Sequence, residues 1–122
     1  MNFSCLSKIL NPEQDLELCL TNPDWELVGA QISVDRGWLK EAEFNQCLGP
    51  FIGQEVYAFE TFERVYKDTN TQKRLEESFI LNWPNFKRFQ ETTDILFVYL
   101  VSEQLNWVFY ANRDNWKFAV QP

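Results

Sequence analysis

Histidine is absent from all 122 residues. With it go the commonest general acid/base, the Ser-His and Cys-His nucleophile pairs, and the commonest transition-metal ligand. Cysteine is sparse: Cys5, Cys19 and Cys47 are an odd number with no CxxC spacing. That pattern fits neither a disulfide scaffold nor a zinc ribbon, and reduced, mostly buried thiols are expected. Glycine occurs only at Gly29, Gly37, Gly49 and Gly53, and no GxxxxGK[ST] or GxGxxG phosphate cradle can be built from these four. The longest apolar run, residues 95–101, is strand-sized and far short of the roughly 18 residues a membrane span needs. The first ten residues lack the basic region, apolar region and cleavage site of a secretory signal. A cytoplasmic protein is expected.

Basic residues are also scarce in one half of the chain. Residues 1–63 hold 11 acids and 3 bases, whereas 64–122 hold 7 acids and 8 bases, so the whole net charge of −7 arises in the first half. Such a field repels phosphate backbones and disfavours nucleic-acid binding; it attracts basic proteins. Acidic surfaces also serve solubility alone, so charge sets a direction and not a function.

What the chain has in quantity is apolar and aromatic material. Apolar residues make up 45%, with 11 Phe, 5 Trp and 4 Tyr, enough to offset the ordering entropy of one folded unit. With this length, no repeat and no Gly/Ser linker, a single domain spanning 1–122 is expected.

Asn11 followed by Pro12, with Glu13 and Asp15 in the first turn, predicts a helix whose apolar face is Leu16, Cys19 and Leu20. Asn22 and Pro23 stop it, and Trp25, Leu27, Gly29 and residues 32–34 read as extended. Asp35 is positioned to cap a second helix reaching Leu48, with Phe44, Cys47 and Leu48 on one side, extended by Phe51 and Ile52. Residues 56–66 fit both helical and strand patterns; a hairpin with residues 75–83 is favoured, turning at Asp68, Thr69 and Asn70. Pro84 suits a first helical turn, which predicts a helix over 84–91 with Phe86 and Phe89 inward and Trp83 outside helical geometry.

The last third reads as three strands. Residues 95–101 are continuously apolar, Leu105, Trp107, Phe109 and Ala111 alternate with their neighbours, and Trp116, Phe118 and Val120 form one face of a closing strand. The whole is an α+β arrangement: an antiparallel sheet, with a C-terminal three-stranded meander at about 94–120, and two or three helices packed against it.

Chemistry-bearing clusters are few. The acids from Glu13 to Glu17 lack the turn glycine of a calcium loop, and no metal or other cofactor is expected. The pairs Glu60/Glu63 and Glu76/Glu77 are of a kind any acidic protein offers. Cys19 and Cys47 lie among apolar neighbours without an activating base and read as packing residues. Phe86 and Phe89 alternate with Lys87 and Arg88, but helical spacing assigns the rings to the core.

The expectation is therefore a non-enzymatic, acidic protein-binding module that docks and inhibits a basic partner, as a bacterial toxin's immunity protein neutralises a cationic nuclease. Its expected partner-binding residues are Asp24, Trp25, Glu26, Asp35, Trp38, Glu41 and Glu43, carboxylates around two aromatic anchors that are equally suited to the core. The alternative is a structural or assembly subunit of a larger complex or homodimer, with sheet edges and exposed aromatics as its contacts.

Overall fold

The computed structural model describes residues 1–11, 20–21, 24–31 and 38–121. Of the helix expected between Pro12 and the Asn22-Pro23 stop, residues 12–19 lie outside the described residues, as do the strand residues 32–34 and the cap at Asp35; Leu20, expected on that helix's apolar face, instead forms an isolated antiparallel bridge with Leu10.

Eight strands are described: β1 Glu26–Gln31, β2 Glu55–Glu60, β3 Arg64–Tyr66, β4 Thr71–Lys73, β5 Glu76–Ile80, β6 Val98–Ser102, β7 Trp107–Ala111 and β8 Asn115–Val120. Two α-helices, α1 Glu41–Cys47 and α2 Trp83–Thr92, accompany them, with 3-10 turns at Phe3–Lys8 and Gly49–Phe51. Six strands form one antiparallel sheet in the order β1-β8-β7-β6-β2-β5, while β3 and β4 pair separately. The fold is thus α+β with an antiparallel sheet, and the first described strand closes against the last.

Strand periodicity decides what each face carries. Val56, Ala58, Val98, Leu100, Trp107, Phe109, Trp116 and Phe118 point to one face, where Phe44, Leu48, Phe86 and Phe89 of the helical layer cover them. Phe59, Tyr99, Val101, Val108 and Tyr110 point to the other, covered by Leu6, Ile9, Leu10 and Trp25. Strands β6 and β7 are consequently buried along their whole length. This explains their lack of polar alternation, a pattern more familiar in sheets sandwiched between two layers.

The favoured hairpin exists in two parts. Phe59 pairs with Glu76, and beyond it Arg64 pairs with Lys73, so residues 60–63 on one side oppose only 74–75 on the other. The extra residues form a bulge that redirects the distal arm. Its tip carries Asn70 in the left-handed region, φ 53°, a conformation asparagine tolerates well.

Two helix boundaries differ from expectation. The helix expected from Asp35 to Leu48 is described only as α1, Glu41–Cys47, because upstream backbone donors are engaged elsewhere. The N–H groups of Trp38 and Leu39 donate to Gln90 Oε1 of α2 at 2.6 and 2.8 Å. Trp83, expected outside the helix, is its first residue; Asn82 takes the cap, its Oδ1 accepting from the Asn85 N–H at 2.8 Å. Proline then falls in the second helical position, where no intrahelical donor is required. Among the described residues no helix is long and apolar enough to cross a membrane.

Candidate protein-interaction groove

The helical layer stops short of one edge of the sheet. It covers β7, β6, β2 and the inward residues of β8, and beyond these, over β1, it leaves a groove of about 460 Å³. Register sets the floor: Val28 lies opposite Phe118 and Ala30 opposite Trp116, all on the helix-side face. Helical spacing sets the wall. Phe44 and Leu48 turn into the core, while Glu43, Gln46 and Cys47 turn to the groove. Pro50 and Phe51 close the far end, with the Phe51 ring stacked on Trp107 at 5.1 Å between centroids.

Among the described residues, Glu26 and Glu43 line this groove and no lysine or arginine does. Glu43 Oε1 accepts the Lys40 N–H at 3.0 Å, which fixes the carboxylate at the start of α1. Burial, reinforced by the neighbouring Glu43 charge, pushes the Cys47 thiol above its ordinary value of 9.0, so it stays protonated and weakly nucleophilic near neutral pH. Trp116 is 3% exposed, and its Nε1 has no hydrogen-bond partner among the described residues. Among the described residues no group of three His, Cys, Asp or Glu side chains is arranged to hold a metal ion. The chemistry this lining supports is binding: an apolar floor, two carboxylates at the margin and a protonated thiol.

The expected site residues separate on the structure. Glu26 and Glu43 meet at the groove, whereas Asp24 and Glu41 are exposed and do not line it. Trp25 does not stand out as an anchor; it is 8% exposed and belongs to the core on the opposite face. Trp38 is half-buried, its ring 5.9 Å from Phe89 and 6.4 Å from Phe109. Asp35 lies outside the described residues. Val28, Ala30, Cys47, Phe51, Trp116 and Phe118 were missed, since their meeting depends on the β1–β8 pairing, which joins positions about ninety residues apart.

Strand β1 ends the sheet, and among the described residues no strand pairs with its outer side. Leu27 is 54% and Val28 41% exposed on its two faces. The opposite edge, β5, carries Glu76 and Glu77 exposed to solvent, a guard against strand pairing that β1 has only at Glu26.

This chain matches no protein-family model, no curated protein and no solved structure. Fold and groove therefore define the class on their own: an antiparallel α+β domain with an acid-lined groove beside a sheet edge that no described strand pairs with.

Proposed function

We propose that this domain is a small acidic protein-binding module that docks and inhibits a basic partner protein in the cytoplasm. The model for such action is an immunity protein that neutralises a bacterial toxin such as a nuclease. The observation that carries this reading is the groove whose charged residues among those described, Glu26 and Glu43, are both acidic, within a chain whose net charge of −7 is concentrated in the same half. Such a field accelerates the encounter with a cationic partner, and the apolar floor supplies the area that holds it. No catalytic role is proposed.

Exposed Leu27 and Val28 on the β1 edge favour, as a second reading, an assembly subunit held by an apolar contact. Salt separates the two, because screening slows an electrostatically steered association and barely alters an apolar one. The test is affinity capture from the protein's own cells, comparing the native chain with the double variant Glu26→Lys/Glu43→Lys and the control Asp24→Lys/Glu41→Lys. A basic protein retained by the native chain and the control, lost by the groove variant and released at high salt is the expected result. Equal retention by all three chains removes the groove from the function.

A further inference from the structure

The occupant of the groove has to be reconciled with β1, the edge strand that forms the outer side of its floor. Alternate residues of an edge strand direct N–H and C=O groups away from the sheet, and these groups bind best to another extended backbone. β1 spans six residues and contains no proline or lysine, residues that commonly block strand addition at an edge. Its two faces differ in chemistry. Glu26, Val28 and Ala30 look into the acid-lined groove, while Leu27 stands on the other face, 54% exposed.

From this we infer that the partner is recognised by strand addition: an extended segment of a basic protein pairs with the outer edge of β1, alternating cationic and apolar side chains. Its cationic side chains face the groove, where Glu26 is a cross-strand neighbour and Glu43 faces from α1; their aliphatic stems lie over Val28 and Cys47. Its apolar side chains pack beside Leu27. Charge decides the occupant. A second copy of this chain would bring a further net charge of −7 to an edge already marked by Glu26, whereas a cationic strand neutralises both groove carboxylates.

This inference rests on the proposed function and deepens it, so its test separates the two. The probe is the synthetic heptapeptide Lys-Ile-Lys-Val-Lys-Ile-Lys, with two twins of the same charge, one N-methylated at every lysine and the other at every apolar residue. Only alternate amides of an added strand reach β1, so one twin is expected to bind like the parent. The other is expected to bind about tenfold more weakly or worse, the effect of losing one or two net hydrogen bonds. Parent binding is expected to fall in Glu26→Lys/Glu43→Lys. Equal binding by parent and both twins overturns strand addition while leaving charge-driven docking intact. No binding by the parent at low salt overturns an extended basic segment as the ligand, and the capture experiment then decides the function independently. A dimer of the chain alone in sedimentation, dissociated by the peptide, identifies the occupant as a second copy and also overturns the inference.

Discussion

A carboxylate with no solvent exposure has to be met by donors, and Glu60 is met from the bulge it creates. Its Oε2 accepts the Arg64 Nε–H at 2.7 Å and its Oε1 the Leu75 N–H at 3.2 Å, while Arg74 donates to the Glu60 backbone carbonyl. The Arg74 guanidinium also lies 3.5 Å over the centre of the Phe3 ring, tying the N-terminal segment to the bulge. Glu60→Ala removes the acceptor of the Arg64 and Leu75 donors and is expected to cost about 3 kcal/mol. Glu60→Gln keeps an acceptor for Leu75 and is expected to cost about 1 kcal/mol, both read from urea unfolding. Cys47 supplies the pH-dependent counterpart. Because its folded pKa is raised by burial and by Glu43, the fold favours the neutral thiol. That stabilisation is complete below the ordinary value of 9.0 and is lost as pH rises through the raised value. Iodoacetamide should therefore modify native Cys47 more slowly than the urea-unfolded chain at pH 8, with the native rate rising only at higher pH; equal rates would show an unshifted thiol.

At the scale of elements, the two α-helices hold one another in register through a side chain and not by apolar contact alone. Gln90 of α2 accepts from the Trp38 and Leu39 N–H groups and donates to the Leu39 carbonyl at 3.3 Å, so the segment entering α1 is bonded as if to a third backbone. Gln90→Ala leaves two part-buried donors without that acceptor and is expected to destabilise by about 1 to 3 kcal/mol. Amide exchange should accelerate at Trp38 and Leu39 more than in β7. None of this was legible in the sequence, where Asp35 and the apolar spacing of Phe44, Cys47 and Leu48 predicted a longer helix. In contrast, Pro84 marked the start of its helix in the sequence, while the cap at Asn82 and the placement of Trp83 inside the first turn required the structure.

For the whole molecule, the decisive feature is that the sheet is covered twice. Leu6, with no exposed surface, sits with Ile9, Leu10 and Trp25 over Tyr99, Val101, Val108 and Tyr110, so the N-terminal segment is part of the core. Leu6→Ala is expected to cost about 3 kcal/mol by the cavity it leaves. Removing residues 1–10 is expected to expose the second face, visible as enhanced binding of the dye ANS and a broadened unfolding transition. Unaltered dye binding would mean that this face does not depend on its cover.

Local signals in the sequence determined much of this protein. Apolar alternation placed β7 and β8, the continuous run over 95–101 marked the start of the buried β6 region, and the lopsided charge assigned acidity to the first half. These are properties of neighbouring residues, set by side-chain period and turn chemistry. Tertiary structure alone decided which distant segments meet: β1 against β8, β6 against β2, Gln90 against the start of α1 and the N-terminal segment against the rear of the sheet. It also decided that Trp25 is buried, while Glu26 and Glu43 face one groove. The physical reason is that a side chain's direction follows from local backbone geometry, but its surroundings follow from long-range packing, which no local pattern encodes.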